Sequence, residues 1–183
     1  MNKKDKLPTI TNCTQIAKTR IFNIEQLDLT FSNGEQRVYE RITGNSRGAV
    51  MMVPMIDNET MLLVKEYCAG IHSYDLGFPK GLIDEGETPI EAASRELKEE
   101  IGYDAKTLTP IRQVMIAPAF LNAKMTIFLG QNLYPEKLMG DEPEPLEIVP
   151  WKIKDYQALL DNPNFNEARS IVALMLVKDY LKE

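Results

Sequence analysis

Residues 81–103 read GLIDEGETPIEAASRELKEEIGY. Thr88-Pro89 places a hydroxyl at a helix cap and proline at the first helical position, which predicts a helix running to Gly102. On that helix Glu96, Glu99 and Glu100 fall at i, i+3 and i+4, so their three carboxylates share one face. Ile90, Ala93, Leu97 and Ile101 form an apolar stripe on another face, expected to be buried. Like charges at this spacing repel by about 0.2–0.5 kcal/mol per pair. Hard oxygen ligands gathered in this way suit magnesium or manganese. For the three glutamates alone, an acidic helix face meeting water is the competing reading.

Gly81 and Gly86 bracket a loop ahead of the helix, where the backbone is able to turn sharply or approach a ligand closely. Glu87 and Arg95 are too far apart to pair on one turn. Glu87 is nonetheless the natural carboxylate to hold Arg95, and that bond would pin the loop to the helix.

Upstream, Ala49 to Ile56 is a nearly continuous apolar run, suited to a strand buried on both faces, and Met61 to Tyr67 supplies another strand. Before them, Arg20 to Phe31 and Gln36 to Ile42 flank Ser32-Asn33-Gly34-Glu35, an Asn-Gly hairpin signal. Thr43-Gly44-Asn45-Ser46 is a polar break, so residues 1–44 are expected to form an N-terminal β-hairpin segment and 45–183 the main domain. A hairpin alone is marginal in water and should pack on something, a second subunit being one option. Downstream, strands are expected at 111–116, 126–129 and 146–149, with helices near 154–160 and 166–181. Strands mixed with helices predict a layered α/β domain.

The 183 residues suffice for one domain with a full core plus a small appendage. A net charge of -6 argues against a nucleic-acid partner bound through bulk electrostatics. It leaves room for a phosphate-bearing substrate screened by metal ions. Cys13 and Cys68 fit neither a disulfide framework nor a zinc pattern, so two reduced thiols in a cytoplasmic protein are expected. The basic start Met1-Asn2-Lys3-Lys4-Asp5-Lys6 has no apolar stretch behind it and does not read as a secretory signal. No apolar run approaches the roughly 18–20 residues needed to cross a membrane.

Together Gly81, Glu87, Arg95, Glu96, Leu97, Glu99, Glu100, Gly102 and Tyr103 resemble the Nudix box, with an aromatic at 103 where an aliphatic is usual. Seven fixed identities at fixed spacing should arise by chance in such a chain on the order of once per million. The resemblance implies an α/β (α+β) fold, an α/β/α sandwich with a mixed sheet, and a hydrolase that cleaves diphosphate linkages with Mg²⁺, for which Mn²⁺ can substitute. It makes Glu96 and Glu100 the principal metal ligands, Glu99 a third ligand or a base, and the Lys80 carbonyl a further ligand. A non-catalytic nucleotide-sensing module with the same fold is the alternative from another class. It is disfavoured because every acidic position of the box is intact.

Beyond the box, VYERITG, LVKEYCAG, DLGFPKGLIDEGE, GDEPEPL and NPNFNEARS resemble the ADP-ribose pyrophosphatase branch of that family, and within it bacterial hydrolases of ADP compounds. This implies substrates such as ADP-ribose, diadenosine polyphosphates and NADH, cleaved with release of AMP, with nucleotide sugars as the alternative. It also implies a homodimer whose N-terminal hairpin exchanges between subunits and lends an aromatic to adenine. Phe22 is the matching position, and such stacking is worth about 1–3 kcal/mol; a buried core phenylalanine is the other reading. Arg37 and Arg41 share a strand face and could meet phosphates or ribose, or simply solvent. Cys68 stands where the branch carries arginine, which favours broader specificity for ADP compounds. Glu144, in the acidic loop 140–145, aligns with the general base of the branch. His72, the one histidine, reads as a loop or surface residue.

Overall fold

The computed structural model describes residues 6–44 and 47–182. Residues 1–5 of the basic start and 45–46 of the polar break lie outside the described residues. The N-terminal segment holds one strand more than expected. β1 (Thr9–Lys18) pairs antiparallel with β2 (Asn23–Thr30), and β2 pairs antiparallel with β3 (Gln36–Thr43). The strand expected from Arg20 begins only at Asn23, because Thr19 turns the chain. Its N–H donates to the Phe22 carbonyl (2.8 Å) and its hydroxyl accepts the Phe22 N–H (3.0 Å). Between β2 and β3 the Asn-Gly signal produces a five-residue connection, since Thr30 pairs with Gln36. Gly34 donates to the Phe31 carbonyl (3.0 Å), and the Asn33 side chain accepts the Glu35 N–H (3.0 Å).

β4 (Ala49–Pro54) and β5 (Thr60–Cys68) follow, joined by a turn in which Asp57 Oδ1 accepts the N–H groups of Glu59 (2.8 Å) and Thr60 (2.7 Å). Two short strands, β6 (Ser73–Gly77) and β7 (Lys80–Leu82), lead to helix α1 (Pro89–Glu100). β7 occupies part of the expected loop, paired to β4 with Gly81 opposite Val50. β8 (Tyr103–Met115) is much longer than the strand expected at 111–116. The chain then makes an excursion in which β9 (Leu121–Asn122) pairs parallel with β3. β10 (Lys124–Pro135), β11 (Glu147–Lys152), a 3-10 turn (Ile153–Asp155), α2 (Tyr156–Leu160) and α3 (Ala168–Tyr180) complete the order. Contacts divide the chain into two units, one containing the described residues through Gly44 with Met115–Ala123, the other Arg47–Val114 with the chain from Lys124 onward.

Within the second unit the strands form two sheets, β7-β4-β10-β8 and β11-β5-β6, linked by an antiparallel bridge between Met55 and Met61. β4 and β10 are parallel while β4 and β7 are antiparallel, so the sheet is mixed. Alternation along each strand sends side chains to opposite faces. Met51, Val53, Met61, Leu63, Ile127 and Leu129 join one core cluster with Leu159, Leu174 and Val177 of the C-terminal helices. Val50, Met52, Leu62, Val64 and Phe128 join the other, with Ala92, Ala93 and Leu97 of α1. Helices thus cover both faces in an α/β/α sandwich. At about 25 cal/mol per Å² of apolar area, these two buried layers are the main stabilising term.

Thr88 and Glu91 close a reciprocal capping box at the start of α1. Ala93, Leu97 and Ile101 are buried as the spacing predicts, but Ile90 is 48% exposed. Ile90 sits in the first turn, about 10 Å along the axis from Leu97, and Ala92 and Glu96 complete the buried face in its place. Gly102 (φ 72°) ends the helix in the left-handed region that disfavours other residues.

Candidate active site

The site is built on α1. Its Glu96 is a nearly buried carboxylate, and burial pushes its pKa up despite the neighbouring Arg95. Glu100 is pushed up to about 8, first by burial and then by the charges of Glu96 and Glu66, with Lys80 opposing. Its oxygens lie 3.3 and 3.4 Å from the Lys80 N–H. Gly81 explains how the strand approaches so closely: a Cβ there would lie 2.0 Å from the Glu96 carboxyl.

Arg95 organises the rest. Its Nε and Nη2 donate to the two oxygens of Glu87 (2.8 and 3.0 Å), so the loop carboxylate grips the helix arginine. Nη1 donates to Glu96 (2.7 Å) and Glu99 (3.0 Å), and Nη2 also to the Leu82 carbonyl (2.9 Å). The hydrogen bond from Arg95 holds Glu87 below the usual carboxylate range. Arginine thereby ties β7, the loop and the carboxylate face together.

Above this face lies a cavity of about 650 Å³ lined by Glu96, Glu99 and Glu100 on one side and residues 137–146 on the other. Asp141 is close enough for its charge to raise the pKa of Glu96. Burial, then the charges of Glu66 and Asp141, push the Glu142 carboxyl up. Glu144 lines the same cavity and accepts a short hydrogen bond from the Tyr74 hydroxyl.

Two carboxylates on adjacent turns, Glu96 buried and Glu100 half-buried, both shifted toward neutrality, form a donor set that gains from a hard cation. That chemistry fits a divalent metal. Among the described residues no three acidic, histidine or cysteine side chains already converge in a ligand cage. Magnesium needs none, since it is usually held by one or two carboxylates with waters and substrate phosphates.

The remaining expected residues lie in the N-terminal unit. Phe22 is 50% exposed in the β1–β2 turn, so it is no core phenylalanine. Arg37 pairs with Glu35 (2.8 Å) and Arg41 with Glu25 (2.8 Å). His72 is a surface residue with φ 50°, its Nδ1 2.8 Å from the Tyr67 hydroxyl. Sequence reasoning missed the ion pair between Lys80 and Glu66 and the contact of Tyr74 with Glu144. Both join residues far apart in the chain, and no local pattern marks them.

The α/β/α sandwich and its acidic box define a class, and the chain belongs to the Nudix hydrolase family: the NUDIX domain model matches residues 45–174. It is a Nudix pyrophosphohydrolase. Residues 8–41 match the NudE-type Nudix hydrolase N-terminal domain. The chain is 50% identical over 182 residues to the ADP compounds hydrolase NudE of Escherichia coli (strain K12), covering 100% of this chain and 97% of that one. It is 30% identical over 173 residues to the ADP-ribose pyrophosphatase of Bacillus subtilis (strain 168), covering 92% of each. A crystal structure of ADP compounds hydrolase superposes with a TM-score of 0.93 at 50% identity, over 99% of this chain and 97% of that chain.

Proposed function

We propose that the enzyme hydrolyses the diphosphate of ADP-containing compounds such as ADP-ribose, diadenosine polyphosphates and NADH, releasing AMP. The carrying observation is the pair of upshifted carboxylates, buried Glu96 and half-buried Glu100, facing a cavity lined on its other side by a second acidic segment. The similarity to hydrolases named for ADP compounds and ADP-ribose supports the substrate class. Glu96 and Glu100 hold the cation, magnesium with manganese as its substitute, together with the Lys80 carbonyl and with Glu99 as third ligand or reserve base. When bound, the cation polarises the phosphoryl oxygens and lowers the pKa of water.

The protein side of the step is proton management. Glu144 takes the proton of the attacking water as its oxygen bonds to phosphorus. The bridging P–O bond then breaks, and the leaving phosphate carries away the electron pair. Arg95 and Glu87 keep the carboxylate face in register during this step. Glu142, with its raised pKa, is the second candidate for the base.

The N-terminal segment is assigned to dimerisation. β1 is an edge strand with all ten residues exposed, Ile10 and Ile16 among them, and such an edge invites pairing. Phe22 on the adjoining turn is assigned to adenine, with Arg37 and Arg41 toward phosphate or ribose. Among the described residues no helix is long and apolar enough to cross a membrane. Two free cysteines suit a cytoplasmic protein.

The test is turnover of a panel of ADP compounds with magnesium, read as AMP released, on the parent and on Glu100→Gln. The amide keeps the shape and loses the charge, so turnover should nearly vanish while the fold persists. Activity within about threefold of the parent, only ~0.7 kcal/mol of barrier, would remove Glu100 from the metal site.

A further inference from the structure

Residues 139–146 line one side of the cavity, and both ends of this stretch are fixed. At one end the Leu138 N–H donates to the Lys98 carbonyl of α1 (3.1 Å), and Gly140 lies against Glu99. At the other, Glu147 opens β11 opposite Lys65, to which it is ion-paired at 3.6 Å. Between them Pro143 and Pro145 have no N–H to donate. Among the described residues, one side-chain hydrogen bond reaches the stretch, from the Tyr74 hydroxyl to Glu144 Oε1.

The donor is held more firmly than the acceptor. Tyr74 sits on β6 directly opposite Tyr67 of β5, with ring centroids 5.8 Å apart in an edge-on contact. The Lys65 ammonium lies 5.9 Å from the centre of the Tyr74 ring. The Tyr67–Tyr74 pair has an obvious role in the hairpin, since cross-strand aromatics stabilise it. The hydroxyl has no such role; it reaches 70 residues along the chain to a glutamate. Glu144 stands in the wall between the cavity of about 650 Å³ and a second one of about 280 Å³ lined by Lys65, Tyr67 and Tyr74.

We propose that Tyr74 is a positioning residue for hydrolysis: its hydroxyl clamps Glu144, and with it the acidic loop, against the cavity that α1 lines. The clamp rests on the reading of that cavity as the hydrolytic site. A stiff side chain rooted in a sheet fixes one oxygen of a carboxylate that the loop alone leaves unanchored. Oε1 is committed to Tyr74, and Oε2 remains for the proton of water.

Tyr74→Phe tests this, because it keeps the ring and its contact with Tyr67 and deletes only the hydroxyl. The turnover number for ADP-ribose should fall about tenfold or more, as small misplacements at a reacting centre do. The Michaelis constant should stay within about threefold, the mark of a group acting in the transition state. Combined with Glu144→Ala, Tyr74→Phe should slow the enzyme no further, since the clamp then has nothing to hold. Amide hydrogen exchange in 139–146 should quicken in Tyr74→Phe while α1 is unchanged. A turnover number within twofold of the parent overturns the proposal. So does a double variant whose loss is the product of the single losses, because Tyr74 would then act by another route. Failure of the hydrolytic reading looks different: the parent itself would release no AMP from any ADP compound, and the clamp would fall with it.

Discussion

Gly81 and Glu96 share a space that admits no methyl group. A Cβ on residue 81 would lie 2.0 Å from both the carboxyl carbon and one oxygen of Glu96. Glu96 lies on α1 at the wall of the cavity, so its carboxylate, the far end of a flexible side chain, is free to swing away from an added methyl group. Gly81→Ala should therefore push this carboxylate aside while the sandwich still folds. Displacement of about 1 Å at a reacting centre costs about 100-fold. We expect a loss of that order in kcat/KM and weaker activation by magnesium. Normal magnesium activation in Gly81→Ala would count against Glu96 as a ligand.

Arg95 makes a two-pronged contact with Glu87 that lysine is unable to reproduce. Arg95→Lys keeps the charge yet frees the loop from α1. Removing a partner that orients a metal ligand typically costs about 10–100-fold in affinity or activity, and this range is expected here. Magnesium titration of the parent and variant measures it.

Glu142 and Glu144 are chemically alike and two residues apart, so comparing them isolates position. Glu144→Gln should lower the turnover number by about 10²–10⁴-fold with little change in magnesium affinity, the usual contribution of a general base. Glu142→Gln should be mild. The reverse ranking would transfer the role to Glu142, whose carboxyl burial and the charges of Glu66 and Asp141 already push up. Two mild variants would leave Glu99.

β1 exposes Ile10 and Ile16 along an unpaired edge. Native mass spectrometry at micromolar concentration should show a homodimer. Ile16→Lys, which puts a charge on that edge, should shift the mass toward monomer. A parent that is monomeric at this concentration would falsify the assignment.

Glu167 caps α3 by accepting the N–H groups of Arg169 (3.1 Å) and Ser170 (2.8 Å). Burial alone would raise its pKa, but the hydrogen bonds and charge of Arg169 with the helix N–H groups outweigh it, and the net shift is downward. A depressed carboxylate stabilises the fold above its unfolded pKa, and that contribution fades as pH falls through the folded value. Glu167→Gln should thus cost about 0.5–1 kcal/mol near neutrality. The gap to the parent should close below pH ~4.5, near the ordinary glutamate value. Urea unfolding across pH 3–7 reads the difference.

The legible parts of this molecule are those written in local spacing. Thr88-Pro89, the glutamates at i, i+3 and i+4, and the apolar run of Ala49–Pro54 each specify an element or a face with neighbours a few residues away. β1 was not legible, because its exposed sequence TITNCTQIAK lacks the alternation that burial of one face imposes. β7 and β9 are too short to carry a period and exist only through pairing with β4 and β3. The same limit applies to the site. Glu87 with Arg95 was readable across eight residues, whereas Tyr74 with Glu144 depends on two sheets and a loop meeting in space.

β4 carries no chemistry, yet it has the least freedom to change. Five of its six residues are buried, and four of them, Val50 to Val53, alternate between the core layer of α1 and that of α3, so it offers no solvent-facing position where a polar exchange would pass unnoticed. Over evolutionary time its residues can trade only for apolar ones of similar volume. Drift in the family should therefore spare β4 almost as strictly as the glutamates beside it.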